Sequence, residues 1–217
     1  AYVPMDISGE HLRKAARSLS MDYPWLDVHA ACIDFTRPLD LSFCPAEAQR
    51  IAFFPGSSIG NFEPQDAVNF MRQVAQSVGP GGGMLIGVDL KKDKAVLDAA
   101  YNDAAGVTAQ FNLNLLERIN HELAGDFNLD TFTHHAFYNE QAGRIEMHLI
   151  SQTRQTVSID GQKIPFAKGE SIHTENSYKY SIEEFQHLAT LGGFMPVYVW
   201  TDSNALFSVH YFEVAAC

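Results

Sequence analysis

Apolar positions along this chain alternate between short unbroken runs and stripes at helical spacing. Ile51-Ala52-Phe53-Phe54 runs straight into Pro55-Gly56, then into the small-residue loop Ser57-Ser58-Ile59-Gly60 and the amide of Asn61. A run ended by turn residues and followed by a helical pattern predicts a buried parallel strand feeding a loop and a helix. That helix opens at Glu63-Pro64, where proline suits the first turn, and carries Ala67, Phe70, Met71, Val74 and Val78 on one face. Gly79-Pro80-Gly81-Gly82-Gly83 ends it, and Met84 to Val88 is the next buried strand, closed by Asp89. Upstream, Ala1 to Asp6 leans apolar. Leu12, Ala15, Ala16 and Leu19 recur at helical spacing behind Ser8 as N-cap, and Val28 to Ile33 is a further run ending in Asp34. Strand and helix alternating in this way is the doubly wound α/β pattern.

The pattern changes after Tyr101. Val107, Phe111, Leu115, Leu116, Ile119 and Leu123 predict a helix of about five turns. Arg144, Glu146 and His148 then alternate with Ile145, Met147 and Leu149, the period of a half-buried antiparallel strand, with Asn139 to Gly143 as the turn before it. Asp160-Gly161 predicts a tight turn within a stretch from Val157 to Tyr180. Ser181-Ile182-Glu183-Glu184 is a capping box. The helix it opens ends at Gly192-Gly193, before two last strands over Val197–Trp200 and Leu206–Val214. Residues 103–178 therefore read as a helix and hairpin insertion between α/β elements at 1–102 and 179–217.

The 217 residues suffice for one domain with such an insertion. A net charge of −11 without any basic run argues against nucleic acid or an anionic membrane as partner. Cys32, Cys44 and Cys217 are odd in number and widely spaced, which suggests neither disulfides nor a zinc site and fits a cytoplasmic location. No run approaches the roughly 18 apolar residues of a membrane span.

In open α/β sheets ligands bind beyond the carboxyl ends of the strands, which puts chemistry in the Gly56–Asn61 loop. Three predicted strands end in acids. Asp6 suits ribose hydroxyls and Asp34 with Phe35 suits an adenine, or these acids merely cap loops; Asp89 reads as a structural cap or as a support behind ligand-contacting residues. His173, Glu175 and Ser177 share one face of a strand, and their neighbours are hardly more apolar. Such a strand grips a polar ligand or is an exposed edge. Tyr101 either points into the same cleft or anchors a loop. His134-His135 face opposite ways with no third ligand after them, so they read as solvated histidines and no metal site is expected.

The strings Tyr2–Ser8, Phe53–Phe62, Gly87–Asp93, Ala100–Asn112 and Ile172–Tyr180 closely resemble those of the histidine-specific Nα-methyltransferases of ergothioneine biosynthesis. The resemblance implies a Rossmann-like class I methyltransferase sheet, S-adenosylmethionine as cofactor, and three methyl transfers to the α-amine of L-histidine, giving hercynine. By it, Gly56, Asn61 and Tyr101 hold the amino and carboxylate groups, Glu175 and Ser177 hold the imidazole, and Met147 lines the pocket. Asp6 takes the ribose, and Asp34 with Phe35 the adenine; no residue acts as a covalent or metal catalyst. The resemblance implies a monomer for the intact family. No Gly-rich G-x-G loop precedes Asp6, so the first strand of that sheet is expected to be missing, with strand exchange between copies or rearranged packing, and little activity from this chain alone. The alternatives are methylation of another aromatic amino acid, such as a prenylated tryptophan, and a non-catalytic interaction module.

Overall fold

The computed structural model describes residues 1–34 and 48–216. The first strand, β1 (Met5–Asp6), is followed by α1 (Gly9–Asp22) and β2 (Ala31–Cys32), which pairs with β1 in parallel. The long Val28–Ile33 run thus yields only two ladder residues, with Val28 making an isolated bridge to Tyr2. Ser8 does cap α1, but its side chain makes no capping bond; instead its N–H donates to Asp6 Oδ1 at 2.7 Å.

β3 (Ile51–Phe54), α2 (Pro64–Val78) and β4 (Gly83–Asp89) lie where the sequence places them, β3 parallel to β4. After the middle of the chain come α5 (Ile182–Leu191), β10 (Met195–Thr201) and β11 (Phe207–Glu213), giving a four-stranded sheet in the order β10-β11-β4-β3. Its core face carries Met84, Ile86, Val88 and Phe212. These pack with Phe70 and Met71 of α2 and Phe185 and Leu188 of α5. The expectation that β3 is buried holds for one face only. Ala52 and Phe54 reach this core, whereas Ile51 and Phe53 are 58% and 60% exposed. Alternate residues of a strand leave by opposite faces, and the described helices here pack on one of them.

Between these parts lie α3 (Lys94–Tyr101), α4 (Val107–Glu122), β5 (Phe132–Asn139), β6 (Arg144–Ser151), the hairpin β7 (Gln155–Ile159) and β8 (Gln162–Phe166), and β9 (Ser171–Tyr178). β5-β6-β9 is a separate antiparallel sheet. Asp160 and Gly161 both take positive φ in the β7–β8 turn, as that dipeptide favours. The burial of α4 departs from expectation. Leu116 is buried and Leu113 and Ile119 pack beside it, but Val107, Phe111, Leu115 and Leu123 are exposed, and Asn112 takes a core position. The stripe i, i+4, i+8 from Val107 points away because Asn112 is drawn inward by its partners, His134 Nδ1 at 3.0 Å and the carbonyl of His148 at 3.2 Å. Among the described residues no helix is long and apolar enough to cross a membrane.

Candidate active site

The Phe54–Asn61 segment is pinned at both ends. Ser57, at φ 57°, accepts a bond from the N–H of Asp89 through its Oγ at 2.8 Å, fixing the segment to the carboxyl end of β4. Residues Ser58–Asn61 form a 3₁₀ turn. Gly60 within it lies so close to β9 that a Cβ would sit 2.7 Å from the carbonyl oxygen of Tyr178. Only glycine permits that approach, and it brings Asn61 near enough to Glu175 to favour its ionised carboxyl. Burial pushes the Glu175 carboxyl above the ordinary carboxylate range, while the charge of Lys179 and the Asn61 side chain pull the other way.

Tyr101, the last residue of α3, is aimed by three neighbours. Asp93 caps the start of α3 by accepting from the N–H of Ala95 at 2.8 Å. Asp98 accepts the N–H of Tyr138 at 2.6 Å. Asn102 pairs with both backbone groups of Ala136, at 2.9 and 3.2 Å. His134, expected to be solvated, is instead a structural bridge between Asn112 and the carbonyl of Tyr101, 2.9 Å from its Nε2. Nδ1 therefore accepts and Nε2 donates, which fixes the neutral tautomer. A long-range role of this kind leaves no trace in local periodicity.

The Tyr101 hydroxyl lies 2.9 Å from Ser177 Oγ. Lys179, with its side chain 1% exposed, donates to Tyr101 Oη and Ser177 Oγ, both at 2.9 Å, and pairs with Asp89 Oδ2 at 2.8 Å. Lys92 holds the other oxygen of Asp89 at 2.6 Å. Asp89 is thus the structural anchor the sequence suggested. Lys179 was missed as a site residue, although the alternation that singles out Glu175 and Ser177 continues to it. Met147 is the cross-strand partner of Glu175 and packs with Leu97, Ala136, Tyr138 and Ile145, against which Tyr101 also rests. Tyr101, Met147 and Ser177 are thus linked on one side of the β5-β6-β9 sheet, with Glu175 opposite Met147 and the Asn61 turn against β9. Gly56 is exposed in the same loop. β9 is an edge strand, as the plainer reading had it, yet Ser177 is only 6% exposed.

Asp6 and Asp34 leave the parallel β1–β2 pair at the same, carboxyl end. Asp6 Oδ1 accepts the N–H of Ser8 at 2.7 Å. Phe35 lies outside the described residues. Among the described residues, Glu146, His148 and His173 bring their ligand atoms within 4.8 Å of one another. The sequence puts His173 on one face with Glu175 and Ser177, but a register shift at Met147/His148 pairs it with His148 and turns it to the other face. Arg144 occupies Glu146 at 2.9 Å, and the two imidazoles stack at 4.5 Å and 15°, so their lone pairs do not converge. The contacts within this cluster are thus an ion pair and a ring stack.

Residues 1–214 match the family described as "Histidine-specific methyltransferase, SAM-dependent". The chain is 38% identical over 203 residues to the histidine N-alpha-methyltransferase of Mycolicibacterium smegmatis, covering 93% of this chain and 63% of that protein. It is 31% identical over 211 residues to ergothioneine biosynthesis protein 1 of Neurospora crassa, covering 94% of this chain and 23% of the relative. It is 30% identical over 157 residues to L-tryptophan methyltransferase trpM of Psilocybe serbica, covering 70% and 43%. The chain thus spans less than two thirds of the length of the bacterial relatives it matches. In fold it is similar to an S-adenosylmethionine-dependent methyltransferase from Clostridium acetobutylicum, with a TM-score of 0.52 at 10% identity over 99% of this chain and 75% of the other. It is similar also to the CcbJ methyltransferase of Streptomyces caelestis, with a TM-score of 0.53 at 14% identity over 98% and 79%. The cysteine-poor α/β core, the pinned Gly60-Asn61 turn and the Glu175-x-Ser177 strand thus have a common origin: the chain belongs to the S-adenosylmethionine-dependent, histidine-specific methyltransferase family.

Proposed function

We propose that this chain forms the histidine-binding part of an enzyme that methylates the α-amino group of L-histidine to its trimethyl betaine, hercynine. The observation that carries this reading is the close approach of Gly60 to Tyr178 and Ser177, which sets Asn61 beside Glu175 and brings the loop and the strand within reach of one amino acid. Residues 103–178 are the substrate-binding insertion, and 1–102 with 179–217 the core; the separate β5-β6-β9 sheet supports that division.

Asn61, with the Gly56 backbone beside it, orients the amine, and Tyr101 meets the carboxylate side. Glu175 accepts the ring N–H, Ser177 faces the second ring nitrogen, and Met147 closes the apolar wall. Asp6 holds the cofactor's ribose hydroxyls, and Asp34 its adenine amino group. S-adenosylmethionine, when bound, supplies a sulfonium methyl group that the amine nitrogen takes by in-line displacement. The protein's part is placement: a neutral amine held at about 3–3.5 Å from the methyl carbon replaces a random encounter with an oriented one. Each transfer releases one proton from the nitrogen. Asn61 orients the nitrogen and carries no basic group to take that proton.

The Psilocybe relative raises tryptophan as the competing substrate. Glu175 and Ser177 together favour a ring with two nitrogens, since an indole leaves one of them unpaired. The test is methyl transfer by the full-length gene product with L-histidine and with L-tryptophan, product masses read by mass spectrometry. Methylated histidine is expected; methylation of tryptophan alone overturns the assignment.

A further inference from the structure

We infer that Lys179 is a positioning residue of the ring-facing strand: its ammonium group fixes the Tyr101 and Ser177 hydroxyls, so that one ordered hydroxyl proton is left for the ligand. The inference rests on the histidine reading above and names the residue that orders its ring-facing hydroxyls.

An ammonium group has three protons. Those of Lys179 are all placed, on Tyr101 Oη, Ser177 Oγ and Asp89 Oδ2. The two hydroxyls lie 2.9 Å apart, so one donates to the other. If Tyr101 donates, Ser177 Oγ has both lone pairs filled, by Tyr101 and Lys179, and its own proton must point elsewhere. If Ser177 donates, the same count leaves the Tyr101 proton over. Neither hydroxyl has a third partner among the described residues, so one proton is left over in both arrangements. It cannot turn toward Lys179, which is a donor only.

A neutral imidazole, with one N–H and one lone pair, can bond Glu175 and the leftover hydroxyl proton together, whereas an indole has no lone pair for that proton. One hydroxyl lone pair stays open beside it. Without Lys179 both hydroxyls lose the bond that orients them. A buried ammonium needs an opposite charge. Asp89 supplies it, held in turn by Lys92 and tied through its N–H to the Ser57 loop.

Lys179→Met keeps the stem and removes the donors, but leaves Asp89 short of its partner. The companion Asp89→Asn/Lys179→Met removes that orphan charge as well. With the full-length gene product, calorimetry should show the dissociation constant for L-histidine raised about 10-fold or more in both variants, the scale of losing a charged partner. Binding of S-adenosylmethionine should stay within about twofold, and KM for histidine should rise with kcat largely kept, as for lost ground-state binding. Because Lys179 acts largely through Ser177, Ser177→Ala/Lys179→Met should lose clearly less than the sum of the two single losses. A folded Asp89→Asn/Lys179→Met protein with unchanged histidine affinity overturns the inference, as do fully additive single losses. If the unaltered protein binds no histidine, the function reading fails and takes this inference with it; if it binds and the Lys179 variants bind equally well, only the inference fails.

Discussion

Glu175 is held in a conflict that makes it useful. Burial raises its carboxyl pKa, while Lys179 and Asn61 favour the ionised form. For an acid whose folded-state pKa lies above its unfolded value, folding favours the protonated form. Its ionisation therefore costs stability, and that cost grows as pH rises from the ordinary carboxylate range through the raised value. Glu175→Gln should accordingly raise the thermal midpoint at pH 7.5 and lower histidine affinity about 10-fold or more, the reverse pairing of what a purely structural residue shows. Differential scanning fluorimetry beside calorimetry checks this; a lowered midpoint with unchanged affinity would remove Glu175 from the site. The raised pKa also means that histidine affinity falls on acidification before ordinary carboxylates titrate.

At the scale of elements, the cleft depends on how closely the 3₁₀ turn approaches β9. Gly60→Ala sets a methyl group 2.7 Å from the Tyr178 carbonyl, backbone against backbone, where neither can give way cheaply. The expected result is a loss of about 1–3 kcal/mol in stability, as for overpacking, together with weakened histidine binding as Asn61 shifts from Glu175. Denaturant unfolding and calorimetry on one protein sample read both effects. α5 offers a control, because its capping box is complete: Ser181 accepts from the Glu184 N–H at 3.2 Å, and Glu184 accepts from the Ser181 N–H at 2.7 Å. Ser181→Ala should cost about 1 kcal/mol by unfolding and leave histidine affinity unchanged, since the cap serves the helix and not the cleft.

At the scale of the molecule, the four-stranded core contains a histidine that must stay neutral. His210 is fully buried beside Phe185 and Phe212, bonds Ser208 Oγ at 2.9 Å, and has its pKa pushed down to about 4 by burial. Above the unfolded value near 6.5 neither state is protonated, and the group contributes nothing to pH dependence. Below it the unfolded chain takes up a proton that the folded one refuses. Stability should therefore fall between about pH 6.5 and 4, by roughly 3 kcal/mol in full. Urea unfolding at pH 7.5 and pH 5, compared with His210→Phe, reads this: the variant should lose less stability on acidification, and an equal loss would clear His210.

The sequence by itself determined what depends on near neighbours along the chain. The α2 stripe, the Asp160-Gly161 turn, the capping box and the alternation of β6 all follow from local backbone preference and side-chain period. Glu175 and Ser177 were legible for the same reason, as same-face positions of one strand, whereas the register shift that turns His173 from that face was not. Tertiary structure alone decided which of two apolar stripes on α4 turns inward, because Asn112 is claimed by β5 and β6. It decided that only one face of β3 meets the core, and that His134 bridges Asn112 to Tyr101 instead of meeting water. It also gathered Asp89, Tyr101, Ser177 and Lys179 from three distant segments into one bonded cluster. Such bonds close loops of many tens of residues, and no local period records them, because their energy comes from desolvated groups that meet only once the chain has folded.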